Sequence, residues 1–265
     1  MKLTILYNNK LNTEAFNVIT LGGLYLKLEI CILYPDLLNS YGDTGNSSIL
    51  AHRAREHGID ADIHHVSLPD EFDPDTYDIV LVGGGQFHEQ SIVAEDLRKD
   101  KGALLKEYVH ASKVALLICG AYQLSGEYYV DDNGEREEGL GILPIYSEPG
   151  AERMIGDLVI KDSDGTVYIG FENHLGKTYI GDLEPLGKVV SGFGNNGEDG
   201  YEGCRFKNTI GTYLHGPLLS KNPEIADEMI ETALCLKGYE IELEPLDDSL
   251  ELAAKKDVLR KVGEL

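Results

Sequence analysis

Three short stretches of this chain carry side chains that could do chemistry together. The first is Val114-Ala-Leu-Leu-Ile118, an apolar run that ends on Cys119 and is followed at once by Gly120. A thiol placed there sits at the carboxyl edge of a sheet, before a helix start whose free N–H groups and dipole face it. Such a field favours the thiolate, which is the nucleophile. The alternative is a cysteine that merely fills the core, since free cysteines are often buried. The second stretch is Gly83-Gly84-Gly85, after the apolar run Asp78–Val82. The third is His215-Gly-Pro217, after Thr209–Leu214. Cysteine with histidine is the minimum set for acyl transfer: the imidazole takes the thiol proton and later gives it to the leaving group. The tetrahedral intermediate needs N–H donors on its oxyanion, and Gly85 and Gly120 are the obvious pair because glycine lets the backbone approach closely.

Competing uses of these residues are weaker. Gly83-Gly-Gly-Gln86 lacks the third glycine of a dinucleotide fingerprint, and no Lys-Ser/Thr follows as in a phosphate-binding loop. His52, His57, His64, His65, His88 and His110 have no companion pattern of ligands, so no metal is expected. His174, in the polar stretch Phe171-Glu-Asn-His174, is a candidate to line the site from a loop.

The elements that must position these groups alternate in the first half. Strands are expected at Leu28–Tyr34, Ile59–Val66, Asp78–Val82 and Val114–Ile118, with a helix from Ser47 to His57 that Gly58 ends. One helix carrying Glu95, Leu97, Leu104, Leu105 and Val109 is expected before the Cys119 strand. Continuous apolar strands separated by helices indicate an α/β fold with an open, mostly parallel sheet and flanking helices. In such sheets, sites form at the carboxyl ends of strands. The second half reads as short strands (Met154–Ile160, Thr166–Phe171, Lys188–Val190, Tyr201–Phe206, Thr209–Leu214) joined by Gly/Asp/Asn-rich turns, so some pairing is antiparallel. A helix from Pro223 to Lys237 follows. Residues 28–237 are read as a single domain, with 1–27 an extension of unclear structure and 238–265 an acidic helix or tail.

Composition narrows the partners. The 265 residues carry 23 Lys+Arg against 46 Asp+Glu, a formal charge of −23, which disfavours nucleic acid and anionic membranes. The four cysteines, Cys31, Cys119, Cys204 and Cys235, are widely spaced, which fits a reducing cytoplasm rather than a disulfide framework. No apolar run approaches the roughly 18 residues needed to span a bilayer. Asn8, Asn9, Lys10 and Glu14 interrupt the apolar core that a signal peptide requires.

With these residues in view, the chain resembles the class I glutamine amidotransferases of the cobyric-acid-synthase type. Within them it is similar to the glutaminase subunits (GatD type) of lipid II isoglutaminyl synthases. The resemblance rests on Leu38-Asn-Ser-Tyr-Gly-Asp-Thr-Gly-Asn46, Gly83-Gly-Gly-Gln86 with Glu89-Gln90, Ile118-Cys-Gly-Ala-Tyr-Gln123, Gly170-Phe-Glu-Asn-His174, Gly192–Gly200 and Gly211-Thr-Tyr-Leu-His-Gly-Pro217. It implies that Cys119 attacks the carboxamide of L-glutamine, releasing ammonia, with His215 as general base. It also implies substrate contacts from Gln123 in the elbow block and from an arginine in the loop after the elbow helix, a place that Arg153 matches. A guanidinium fork suits an α-carboxylate. The fold it implies is a single class I glutamine-amidotransferase-like domain.

The resemblance further implies a heterodimer with a Mur-ligase-like synthetase subunit (MurT type), which receives the ammonia and amidates the D-glutamate of lipid II in peptidoglycan synthesis. No cofactor is expected on this chain, which lacks a phosphate-binding loop; ATP and Mg would reside on the partner. Three departures stand out. Pro217 occupies the place where triad members carry a Glu, so a Cys-His dyad, or a third residue from a partner, is expected. Ala121 stands where a glycine is usual, and Phe87-His88 where Asp-Arg is usual. Two other functions remain open at this point: a different acyl-transfer enzyme on the same fold, or an amidotransferase serving another acceptor. A non-catalytic regulatory homologue is a third.

Overall fold

A computed structural model of the chain describes residues 4–6, 26–130 and 134–264. Most of the expected extension 1–27 therefore lies outside the described residues. The first half runs Thr4–Leu6 (β1), Lys27–Leu33 (β2), Gly45–Glu56 (α1), Asp60–Val66 (β3), Ile79–Val82 (β4), Phe87–Leu97 (α2), Lys101–His110 (α3), Val114–Ile118 (β5) and Gly120–Leu124 (α4). The second half opens with Tyr128–Val130 (β6), Arg136–Glu138 (β7), Tyr146–Lys161 (β8), Val167–Tyr179 (β9), Gly187–Ser191 (β10), Tyr201–Glu202 (β11), Cys204–Phe206 (β12) and Thr209–Thr212 (β13). Leu218–Lys221 (α5), Pro223–Leu236 (α6), Glu240–Glu242 (β14) and Ser249–Val262 (α7) complete it.

Six strands form the main sheet in the order β12-β13-β5-β4-β2-β3. All its neighbours run parallel except the edge pair β12–β13. Every residue of β4, β5 and β13 is buried. That is why β4 and β5 are continuous apolar runs rather than alternating ones: helices cover both faces of a parallel sheet. The carboxyl ends of β4, β5 and β13 are neighbours in this order, which puts Gly83, Cys119 and His215 along one edge.

A second sheet, ordered β11-β10-β8-β6-β7 with β9 on β8, stands beside the first. Its spine is the β8–β9 hairpin, far longer than the short strands expected from sequence. Between Pro149 and Met154 its register shifts. Five residues of β8 advance while β9 advances two, so residues 150–153 bulge out of the ladder. The expected strand Tyr201–Phe206 is split at Gly203, whose φ is +61°. A Cβ there would lie 2.7 Å from the Gly211 carbonyl. The chain turns at that glycine, so β11 joins the second sheet and β12 the first. The mostly parallel α/β reading with antiparallel additions in the second half therefore describes the molecule.

The single helix expected through Glu95 and Val109 is two helices. The break falls at residues 98–100 because the start of α3 is pulled tightly against the end of α2. A Cβ on Gly102 would sit 2.4 Å from the Leu97 carbonyl oxygen. Lys101, 8% exposed, meanwhile donates to Ser67 O, Leu68 O and Asp96. Beyond residue 237 the chain is ordered into β14, which pairs with β1, and α7. Buried Lys255 ties α7 to the body by donating to Val167 O and Glu224.

Candidate active site

Cys119 is the hinge between β5 and α4. Its backbone takes φ 52°, ψ −104°, a left-handed conformation that costs a non-glycine residue on the order of 1–3 kcal/mol. Both flanks hold it there. The Cys119 N–H donates to Thr212 O at 2.8 Å, and its carbonyl accepts from Gln123 N at 3.0 Å. The strand enters from the core and the helix leaves from the same point, so the side chain is turned out at the sheet edge while staying only 8% exposed. Helix α4 is just five residues long and carries little macrodipole, so the dipole effect expected from sequence is reduced to the local N–H groups at its start.

His215 follows β13, the neighbour of β5. Its backbone is pinned to β9 on both sides, with His215 N donating to Phe171 O (2.9 Å) and Phe171 N donating to His215 O (3.2 Å). The imidazole is 1% exposed. Gly84 separates it from the cysteine: a Cβ on Gly84 would stand 2.9 Å from His215 Cε1 and 3.0 Å from Cys119 Cβ. No side chain fits between them, which is why a glycine is needed there. The Nε2 of His215 has no hydrogen-bond partner among the described residues, and the Cys119 sulfur is its strongest charge neighbour.

The Nδ1 edge corrects the sequence reading. The expectation was a Cys-His dyad, or a third residue from a partner chain. Instead Asp43 of this chain accepts a hydrogen bond from His215 Nδ1, with its two oxygens at 3.0 and 3.1 Å. Asp43 is 2% exposed, and its Oδ2 also accepts from Gly84 N at 2.9 Å. The carboxylate therefore fixes the ring and the glycine loop together. Burial pulls the His215 pKa down, but the Cys119 sulfur and the Asp43 carboxylate outweigh it and push it up to about 10. Asp43 sits in the stretch Leu38–Asn46, quoted above only for its resemblance to a family. The one local signal for it was an acidic residue among turn formers just after a strand at the carboxyl edge of a parallel sheet.

These groups open onto a cavity of about 620 Å³. Gly85, Gln123, Arg153 and His174 line it, so the structure gathers all of the sequence candidates except Gly120 around one space; Gly120 abuts it as the residue after Cys119. Gln90 bridges the two glycine loops. Its Nε2 donates to Gly85 O at 2.7 Å, and a Cβ on Gly120 would come within 2.3 Å of it. Gln123 spends its amide nitrogen on the Tyr213 hydroxyl, 3.0 Å away.

Two placements differ from expectation. Arg153 is not in a loop after the elbow helix; it sits on the β8 bulge, exposed, which swings its guanidinium to the cavity. His174 is not in a polar loop either. It is on β9 opposite Met154, 3% exposed, stacked on Tyr213 with ring centroids 3.5 Å apart. Its Nδ1 pairs with Gly176 O at 2.8 Å.

Among the described residues lining the cavity there is no Asp or Glu, and Arg153 is its one Lys or Arg. That guanidinium suits a ligand with a carboxylate. Below it lies a buried polar layer. Glu202 accepts from Thr212 Oγ1 and Tyr213 N, both at 2.7 Å, and so fixes the strand end that delivers His215. Burial raises the Glu202 pKa to about 7 against the hydrogen bonds that lower it. The arrangement suits acyl transfer on a small carboxylate-bearing substrate: a thiol, an imidazole anchored by a carboxylate, and a guanidinium share one site.

Comparison with known proteins shows the family. Residues 29–223 match the family described as the CobB/CobQ-like glutamine amidotransferase domain. A curated relative from Streptococcus pneumoniae, the lipid II isoglutaminyl synthase (glutamine-hydrolyzing) subunit GatD, is 44% identical over 233 residues, covering 86% of this chain and 89% of the relative. The protein of the same name from Staphylococcus aureus is 42% identical over 238 residues, covering 89% and 97%. Among solved structures, a chain of the PurLQS complex from Thermotoga maritima superposes with a TM-score of 0.56 at 15% identity, covering 80% of this chain and all of that one, a likeness of fold.

Proposed function

The chain belongs to the CobB/CobQ-like glutamine amidotransferase family, in its GatD branch, and from that premise we propose that it hydrolyses L-glutamine to glutamate and ammonia through Cys119, His215 and Asp43. Arg153 takes the α-carboxylate, and Gln123, anchored by its Nε2 donating to the Tyr213 hydroxyl, contacts the substrate through its remaining amide groups. Cys119 attacks as the thiolate, its proton resting on His215. The Sγ–C bond forms as the carboxamide oxygen becomes an oxyanion, received by the N–H groups of Gly85 and Gly120. His215 then gives its proton to the departing nitrogen, the C–N bond breaks, and ammonia leaves a γ-glutamyl thioester. Water, deprotonated by His215, attacks that thioester; glutamate departs and the thiol is restored. Asp43 touches no reacting atom in this scheme: it is a positioning residue that holds the ring and stabilises its charge.

The observation that carries the reading is the Cys119–His215–Asp43 line at the floor of a cavity whose cation is Arg153. The role in the cell follows the relatives' name. We assign the ammonia to a Mur-ligase-like synthetase partner of the MurT type, forming a heterodimer in the cytoplasm. That partner, with ATP and Mg, would amidate the D-glutamate of lipid II. No helix among the described residues is long and apolar enough to cross a membrane. The test is glutamate release by the purified chain, alone and with the candidate synthetase, for wild type and Cys119→Ala. Wild type is expected to be stimulated by the partner and Cys119→Ala to be inactive in both settings. Turnover by Cys119→Ala would sink the mechanism, and indifference to the partner would sink the heterodimer.

A further inference from the structure

One residue at the cavity mouth is strained without being part of the chemistry above. Tyr41 has φ +56°, a conformation that a bulky side chain rarely adopts, and it is 48% exposed. Strain of this kind persists only where the surroundings enforce it, and it gathers at functional sites. The surroundings here are specific. The ring lies against the His215 imidazole, centroids 5.0 Å apart at 52°, and against Phe171 at 5.3 Å. The hydroxyl accepts a hydrogen bond from Asn173 Nδ2. Asn173 Oδ1, in turn, accepts from Arg153 Nη1 at 2.8 Å. All four residues, Tyr41, Asn173, Arg153 and His215, line the same cavity.

This chain of contacts crosses the cavity mouth. It joins the loop after β2, which also carries Asp43, to the β8–β9 hairpin, which carries Arg153. The Asn173 amide is fixed at both ends, its oxygen by a guanidinium and its NH2 by a phenol, so it has a single orientation. An exposed arginine on a bulge loses much side-chain freedom when it binds a carboxylate. A guanidinium already held on one N–H, with four N–H groups left for the ligand, has lost part of that freedom before the ligand arrives.

We propose that Tyr41 and Asn173 are specificity-determining positioning residues: they pre-orient Arg153 for the substrate's α-carboxylate and, through the Tyr41 ring on His215, set that carboxylate at a fixed distance from the proton carrier. The proposal rests on the reading of Arg153 as the carboxylate clamp. It adds that the clamp works only while the phenol–amide bridge holds it.

The experiment compares two electrophiles for Cys119. 6-Diazo-5-oxo-L-norleucine carries the α-amino acid end of glutamine; iodoacetamide does not. Inactivation rate constants are measured for wild type, Tyr41→Phe, Asn173→Ala and Arg153→Ala, with modification of Cys119 confirmed by mass spectrometry and KM and kcat for glutamine recorded alongside. The readout is the ratio of the first rate constant to the second. Arg153→Ala is expected to lower the ratio by about 100-fold and Asn173→Ala by about tenfold. Tyr41→Phe, which keeps the ring on His215 and deletes only the hydroxyl, should lower it about fivefold. The losses in turnover should appear in KM, with kcat held within about threefold.

If Arg153→Ala collapses the ratio while Tyr41→Phe and Asn173→Ala leave it at the wild-type value, the bridge proposal is wrong and the clamp stands. If both reagents slow equally in Tyr41→Phe and Asn173→Ala, the two residues are merely structural and the proposal is overturned. A ratio unmoved by Arg153→Ala overturns the clamp, and the bridge falls with it.

Discussion

Replacing Asp43 by Asn removes one charge and one acceptor from the most enclosed part of the site. Asp43 is 2% exposed and His215 1%, so water replaces little of what is lost. The wild-type carboxylate meets His215 Nδ1 with both oxygens, at 3.0 and 3.1 Å, and meets Gly84 N with Oδ2 at 2.9 Å. An amide that keeps its oxygen on Gly84 turns its NH2 toward Nδ1, a donor facing a donor. The ring then favours the tautomer protonated at Nε2, which is unable to take the thiol proton. A hydrogen bond to a charged group in such a setting is worth about 1.5–3 kcal/mol, and one pKa unit is about 1.4 kcal/mol.

His215 should therefore fall from about 10 by about one to two units. In the proposed mechanism its protonated form gives the proton to the leaving nitrogen, and that form is present below the pKa and lost above it. The alkaline limb of kcat/KM should accordingly move to lower pH, by the same one to two units. At pH 7 the rate should drop on the order of 10²-fold through misorientation of the ring. The assay is glutamate release from pH 6 to 11 on the purified chain with the candidate synthetase. Thermal melting serves as the control, and the melting temperature should stay within about 5 °C because the Gly84 contact survives. An alkaline limb at the wild-type pH, together with kcat/KM within threefold, would refute the role given to Asp43.

Two more outcomes follow from single contacts. Gly84→Ala would place a methyl 2.9 Å from His215 Cε1 and 3.0 Å from Cys119 Cβ, both on rigid buried groups. Glutamine turnover should fall by about 100-fold or more while alkylation of Cys119 by iodoacetamide persists; full turnover would mean the two residues do not face each other across this glycine. Glu202, with its folded pKa raised from 4.5 to about 7, binds its proton more tightly folded than unfolded. Its contribution is thus fully present below about pH 4.5 and is lost as pH rises through 7, a change of about 3 kcal/mol. Chemical denaturation of Glu202→Gln across pH 4.5 to 8 should show a flatter dependence than wild type, and parallel curves would contradict the assignment.

The parts of this molecule that were legible from sequence are those whose signal is local. β5 is buried at all five positions, so its residues had to be apolar in an unbroken run, and the cysteine and glycine that follow mark the turn. The same holds for β4 before Gly83. A parallel sheet with helices on both faces follows from such runs, and the carboxyl-edge rule then brings Cys119, Gly85 and His215 to one side. Family resemblance added Arg153 and Gln123, which composition and spacing alone would have left as an ordinary surface arginine and a helix glutamine.

What only the tertiary structure decided depends on pairing between distant segments. Asp43 lies 172 residues from His215, in a loop with no periodicity, and its purpose exists only once β2 and β13 share a sheet. Arg153 reaches the cavity because residues 150–153 bulge from the β8–β9 ladder, and register is a property of two strands, not of one. His174 reads as a loop residue from its polar neighbours; the hairpin made it a buried strand residue stacked on Tyr213. The Tyr41–Asn173–Arg153 bridge draws on three separate elements. The proposed nucleophile was written in adjacent residues, because a strand and a tight turn are local physics. The contact between Asp43 and His215 was not, because a hydrogen bond between remote side chains leaves no trace in the spacing along the chain.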